Sequence, residues 1–345
     1  MPFASTCPER RRLGLRAPLI LWLVALGVSA AVLPAQGPAP AVGAGPSPPQ
    51  AVFRTGTDLV VLQVSVVDPE RRFVSDLAVA DFGVYDEGER QQIATFLSVD
   101  APLDLMVLLD TSSSMAPNLR LVQRAAMNLI GSLKGQDRAA IVFFSDKVQV
   151  KEPLTSDARR LQSAIRSASA RGTTALYEAL YVAQHELAGA RQAGGELRRQ
   201  AIVVLTDGDD TRSSLSFADV LEQARRSPVT IFTITPSAGP DVVRALEYEQ
   251  GIRFGMRELA ETTGGRAFAP AAFTDVEPIY GEIAAELSQQ YWLGYIPSTD
   301  GKAGYRRVSV RVETRPGLRA RTRSGYYATA SRPSAVQPAG YGTAQ

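Results

Sequence analysis

The sequence predicts an α/β domain built on a mainly parallel sheet flanked by helices, joined to a small β-sandwich formed by the two flanks. Three observations lead there. Short apolar runs at 103–109, 139–144, 201–205 and 229–234 alternate with helical stretches that are apolar on one face. That is the pattern of strands buried on both faces and linked by crossover helices. Stretches of two-residue alternation lie outside them, at 58–68 and 307–312, and read as half-buried strands.

Taken in order, residues 51–100 are β-rich. Val60, Leu62, Val64 and Val66 alternate with Gln63 and Ser65, and further short strands are expected at 82–85 and 93–97, parted by the turn Asp86-Glu87-Gly88. Residues 101–290 carry the α/β pattern. Val122, Ala125, Ala126, Leu129, Ile130 and Leu133 share one helical face. Leu176, Ala179, Leu180, Ala183 and Leu187 share another, a helix separates the strands at 201–205 and 229–234, and Val276, Ile279, Tyr280, Ile283 and Leu287 mark a last long helix. Residues 291–328 return to β character at 291–296, 307–312 and 318–323. Two separate β units of this size are too small to bury a core. Pairing the flanks into one sandwich, with the α/β domain inserted, is the economical arrangement because domain termini commonly lie close together.

Residues 1–36 read as an export signal: Arg10, Arg11, Arg12 and Arg16 precede an apolar run at 17–33, followed by Pro34-Ala35-Gln36. About 17 apolar residues is also the lower limit for a bilayer span, so a retained anchor stays open. A Pro/Ala/Gly-rich linker is expected at 37–50 and a disordered tail at 329–345. The expected location is exported: periplasmic, cell-surface or secreted. Cys7 is the single cysteine and lies ahead of the apolar run. The exported chain therefore has no disulfide, no thiolate metal site and no cysteine nucleophile. The formal charge is +2, of which residues 1–36 carry +3 (four arginines against Glu9), leaving −1 for the remainder. A near-neutral chain has no electrostatic footprint for nucleic acid.

Chemistry gathers at three places. The run 105–109 ends in Asp110-Thr111-Ser112-Ser113-Ser114, the run 203–206 ends in Asp207-Gly208, and Gly172-Thr173-Thr174 precedes the helix that starts near Leu176. Ligands of open α/β sheets bind at the carboxyl ends of strands where strand order reverses. Brought together there, these segments offer two carboxylates and three hydroxyls. Oxygen-only donors select hard cations such as Mg²⁺, Mn²⁺ or Ca²⁺. Two carboxylates about 4 Å apart repel by roughly 4 kcal/mol at an effective dielectric near 20, a cost that a divalent ion between them converts into a gain.

Asp110-x-Ser112-x-Ser114, Thr174 within Gly-Thr-Thr-Ala-Leu-Tyr, and Asp207 within Leu-Thr-Asp-Gly resemble the metal-ion-dependent adhesion site of von Willebrand factor A (VWA) domains, in the family's order. The run 259–268 is similar to the segment before the last strand in bacterial members. The resemblance implies a Rossmann-like fold. It also implies direct coordination by Ser112, Ser114 and, depending on state, Thr174, with Asp110 and Asp207 acting largely through water and a partner's acidic side chain completing the shell. The flanking runs Phe82-Gly-Val-Tyr-Asp-Glu-Gly, Tyr291-Trp-Leu-Gly-Tyr295 and Arg323-Ser-Gly-Tyr-Tyr327 resemble VWA-related proteins of acidobacteria.

Blander roles compete at each position. The Asp and Ser residues of 110–114 suit a helix N-cap, although that leaves Thr174 and Asp207 without a role. Thr173 reads as loop packing, and Asp209 and Asp210 as a solvated loop or a second ion site. Trp292, Tyr291 and Tyr295 read as sandwich core or a binding patch. His185 is the single histidine and falls on the helix face opposite Leu176. A serine hydrolase needs a base beside its nucleophile, and the sequence has neither Gly-x-Ser-x-Gly nor a phosphate-binding glycine loop. The expected function is therefore non-enzymatic: divalent-metal-dependent adhesion or protein–protein interaction with a partner offering Asp or Glu, and no nucleic acid. Any membrane link would run through an uncleaved N-terminus. The alternatives are a structural envelope protein whose metal only stabilises the fold, and an accessory subunit of a chelatase or ATPase machine. Export argues against the latter, which needs cytoplasmic ATP.

Overall fold

The computed structural model describes residues 59–97, 101–194, 198–208, 210–236, 243–297 and 303–328. The expected signal, linker and tail lie outside the described residues. The first strands are β1 (Val60–Val67), β2 (Phe82–Asp86), β3 (Glu89–Gln91) and β4 (Ile93–Leu97). The α/β region follows as β5 (Leu103–Asp110), α1 (Leu119–Gly131), β6 (Arg138–Phe144), β7 (Val148–Thr155), α2 (Ala158–Arg166), α3 (Leu176–Gly194), β8 (Arg199–Leu205), α4 (Phe217–Arg226), β9 (Thr230–Ile234), α5 (Val243–Thr263), β10 (Ala267–Phe268) and α6 (Val276–Leu287). The chain closes with β11 (Tyr291–Tyr295), β12 (Gly304–Val312), β13 (Arg319–Arg321) and β14 (Gly325–Ala328).

The central sheet has the order β10-β9-β8-β5-β6-β7, parallel except for β7, which runs antiparallel to β6. Side chains alternate between its faces, as strand geometry requires. Leu103, Leu105, Val107 and Leu109 of β5 pack with α1 and α6, whereas Met106 and Leu108 pack under α3, α4 and α5. The same division holds for Ala201, Val203 and Leu205 of β8 against Ile202 and Val204. From β5 the chain steps outward to β6 and β7, then returns to the other side of β5 as β8. The loops after β5 and β8 therefore part company, which opens a crevice at their carboxyl ends.

The flanks pair with each other. One sheet has the order β13-β1-β11-β4 and the other β14-β12-β2-β3, each combining strands from both sides of the α/β region. Leu62, Val64 and Val66 meet Phe82, Val84, Leu293 and Val310 between these sheets. Tyr291 and Tyr295 are buried in the sandwich core, whereas Trp292, also buried, lies on the face of β11 that meets the α/β region, so none forms an exposed patch.

Strand β1 departs from expectation. Its polar face is not solvated: Gln63 and Ser65 are buried. Gln63 donates to the carbonyls of Gln200 and Pro228 at 3.1 and 2.9 Å, and Ser65 donates to Glu286 at 2.8 Å. The α/β region covers this face, so alternating polarity here marks a polar interface between two layers.

Candidate metal-binding site

Asp110 is the last residue of β5 and is fully buried. Its Oδ1 accepts the backbone amide of Ser112 at 2.8 Å, and its Oδ2 accepts the Thr206 hydroxyl at 2.6 Å. The first bond turns the chain sharply off the strand. Ser112 Oγ then lies 3.0 Å from Ser114 Oγ, and Ser114 donates to Asp207 Oδ1 at 2.8 Å. Asp207 follows Leu205-Thr206 off the end of β8, so the two carboxylates come from the adjacent central strands that flank the crevice.

Thr174 closes the third side. Its carbonyl accepts the amides of Thr211 and Arg212 at 2.9 and 3.1 Å. Its Oγ1 sits 4.0 Å from where a Cβ on Gly208 would stand, which places the hydroxyl against the Asp207–Gly208 turn. The amide of Ser113 donates to the carbonyl of Gly172 at 3.0 Å, fastening the first loop to the third. The five residues singled out in the sequence thus lie at the end of β5 and on the loops that meet it.

Burial governs the electrostatics. It pushes the Asp110 carboxyl up to about 6, against lowering hydrogen bonds from Ser112 and Thr206, and the Asp207 charge raises it further. Burial also raises Asp207, against the bond from Ser114. Among the described residues neither carboxylate is paired with an arginine or lysine. The start of β5 is different: Asp104, also buried, accepts from Arg138 at 2.9 and 2.7 Å and from Arg198 at 2.7 Å. One end of the strand is neutralised by protein cations and the other is not.

The donor set is compatible with a hard divalent cation. Carboxylates and hydroxyls supply only oxygen, and an uncompensated pair of acids favours added positive charge. Among the described residues no three of His, Cys, Asp and Glu cluster as a metal site. Any ion here therefore depends on hydroxyl oxygens beside the two acids.

The neighbouring residues have structural partners. Thr173 gives both its amide and its hydroxyl to Asp146, at 2.8 and 2.5 Å. Asp210 accepts the amide of Tyr177 at 2.7 Å and that of Ser213 at 2.7 Å, bracing the start of α3. Asp209 lies outside the described residues. His185 is exposed. Sequence reasoning passed over two residues, Thr206 and Asp146. Thr206 was legible as the hydroxyl beside Asp207, at a strand end where a buried carboxylate needs a donor. Asp146 has no sequence signal, since only the fold brings it to Thr173.

Comparison with known proteins identifies the surrounding domain. The family model described as von Willebrand factor type A domain matches residues 104–282. An uncharacterized protein of Synechocystis is 33% identical over 112 residues, which is 32% of this chain and 26% of that protein's length. A von Willebrand factor type A structure from Catenulispora acidiphila superposes with a TM-score of 0.47 at 13% identity, covering 81% of this chain and 75% of that one. Proximal thread matrix protein 1 from the mussel byssus, solved with zinc in its MIDAS motif, gives 0.44 at 18% identity, covering 59% and 49%.

Proposed function

We propose, from the premise that the chain belongs to the von Willebrand factor type A family, that it is an exported, non-enzymatic protein that binds an acidic side chain of a partner protein through a divalent cation. Asp110, Ser112, Ser114, Thr174 and Asp207 would hold the ion, Mg²⁺ or alternatively Mn²⁺ or Ca²⁺. When bound, the cation supplies a positive centre with a position open to a carboxylate. The single observation behind this reading is the continuous run of oxygens from Ser112 through Ser114 to Asp207, set beside a buried Asp110 with no protein cation.

The chain's own residues do the positioning. The Asp110 bond to the Ser112 amide sets the loop in which the Ser114 hydroxyl meets Asp207 and the Ser112 hydroxyl meets that of Ser114. Thr206 holds the second Asp110 oxygen in place. Ser114 is exposed while Ser112 is buried, so the site is rooted in the core yet open to a macromolecule. No helix among the described residues is long and apolar enough to cross a membrane, and the proposed membrane link, if the signal is retained, is the N-terminal segment.

The test is retention of envelope proteins by the immobilised chain, with and without chelator, for wild type and Asp207→Ala. Retention that needs divalent ions, is competed by a glutamate-bearing peptide and is lost in Asp207→Ala supports the reading. Retention indifferent to chelator and to the substitution contradicts it. A thermal midpoint that falls with chelator, while no acidic ligand competes, favours a purely structural metal.

A further inference from the structure

A second place on the molecule combines charge, shape and an open strand edge, and shares no residue with the metal site. A groove of about 1040 Å³ runs along β13 beside α6, with Arg71, Arg266, Arg319, Arg321, Asp68 and Glu282 in its lining. Two of these arginines are tied down. Arg321 donates to the buried Glu286, and Arg266 lies 3.0 Å from Glu282 and 3.8 Å from Glu286. Asp68 is occupied by Arg72 at 2.7 Å. Arg71 and Arg319 are exposed and pair with no acid among the described residues. The groove therefore has a fixed wall and two uncompensated positive charges.

The backbone adds two observations. Arg71 has φ +65°, a left-handed conformation that a non-glycine residue adopts at a cost. The turn around it is closed by the Arg71 amide on the Asp68 carbonyl at 2.9 Å and the Arg72 amide on Asp68 Oδ1 at 2.8 Å. Glycine would suit this position better, yet a guanidinium is presented. Strand β13 is the outer strand of its sheet, paired to β1 alone. Ala320 packs on the sandwich core while Arg319 and Arg321 line the groove. An unpaired edge offers amides and carbonyls to another chain. A strand added there would place side chains about 5 Å from Arg319 and Arg321.

We propose that this groove binds an extended acidic polypeptide segment from another protein, which pairs with the free edge of β13 and sets its carboxylates against Arg71 and Arg319. The planar guanidinium suits bidentate carboxylate pairing, and a polypeptide backbone is the ligand that satisfies a strand edge. The chain's own terminal stretches, 37–58 and 329–345, hold a single acidic side chain, Asp58, so they lack the complementary charge.

The experiment is fluorescence anisotropy of a labelled peptide of alternating glutamate and valine titrated with the full chain in chelator, which separates this groove from the metal site. The probes for comparison are the same peptide with glutamine for glutamate, the peptide N-methylated along its pairing edge, and inorganic polyphosphate. Binding of the acidic peptide should persist in chelator, weaken with salt and fail for the glutamine and N-methylated forms. Arg71→Gly and Arg319→Gln should each weaken it about threefold, and together about tenfold, as expected of exposed ion pairs. Arg71→Gly relieves the left-handed strain, so a thermal midpoint that is unchanged or raised shows that lost affinity is not lost folding. No binding to the wild-type chain, undiminished affinity in the double variant, or polyphosphate binding as tightly as the peptide would each overturn the proposal.

Discussion

Asp104 and Asp110 stand at opposite ends of the same buried strand, and among the described residues Asp104 alone of the two has paired cations. Arg138 and Arg198 close on Asp104, whereas Asp110 receives hydrogen bonds from Ser112 and Thr206 alone. The two carboxylates should therefore respond unequally to neutralisation. Asp104→Asn takes the shared buried carboxylate from two arginines and should cost about 3–5 kcal/mol, the usual result of breaking a buried pair. Asp110→Asn in chelator should cost about 1 kcal/mol or less, because burial already disfavours the ionised form. Urea unfolding of both variants without metal checks this, and equal losses would contradict it.

The flank sandwich rests on a comparable polar centre. Asp86 is fully buried and accepts from Tyr295 at 3.0 Å, Tyr326 at 2.8 Å and Arg306 at 2.8 Å, joining three strands. Asp86→Ala leaves two hydroxyls and a guanidinium without their acceptor. A loss of about 3–5 kcal/mol in urea unfolding is expected, together with weakened protection of β11 and β14 in hydrogen exchange.

The double glycine after α5 is a packing requirement. A Cβ on Gly265 would run into the carbonyl of Ile231, since this turn is pressed against β9. Gly265→Ala should cost about 3 kcal/mol or more or prevent soluble expression. Gly251, exposed in α5 with nothing within 4 Å of an added Cβ, is the control, and Gly251→Ala should stabilise by up to about 1 kcal/mol. Thermal melts of the two variants should move in opposite directions.

Acid should loosen the sandwich before it disrupts the central sheet. Hydrogen bonds from Tyr85 and then Arg90 hold Glu313 below its ordinary 4.5. The Thr314 hydroxyl and the Ala78 amide do the same for Asp81 against 3.8. Their folded values are depressed, so their contribution is complete above the ordinary carboxylate range and is lost as pH falls below it. Glu313→Gln should lower the melting midpoint slightly at pH 7, where that contribution is present, and converge on the wild type in acid, so that its decline through that range is shallower.

The central sheet was legible because its strands are buried on both faces and its helices carry one apolar stripe each. Strand β7 escaped notice since Lys151, Glu152 and Pro153 interrupt it, as befits an antiparallel edge. Helix α5 is interspersed with charges and contains Gly251 and Gly255, which weaken any apolar stripe. The shared sandwich could be inferred because neither flank can bury a core alone. Its polar contact with the α/β region through Gln63 and Ser65 could not, since alternation looks the same whether the polar face meets water or protein. At the site the meeting of the three segments that carry Asp110, Thr174 and Asp207 was readable from their places in the strand and helix pattern. That no cation among the described residues pairs with Asp110, in contrast to Asp104, became visible only when the strands were assembled.

Calorimetric titration of the full chain with magnesium, manganese and calcium, in the presence of a glutamate-bearing peptide, decides whether the loops around Asp110 and Asp207 hold a divalent cation. The wild type should take up one ion, with affinity weakened at least about tenfold by Ser112→Ala and by Asp207→Ala, as is typical for lost metal-site groups. No heat of binding with any of the three ions, or affinities unchanged in both variants, would contradict it.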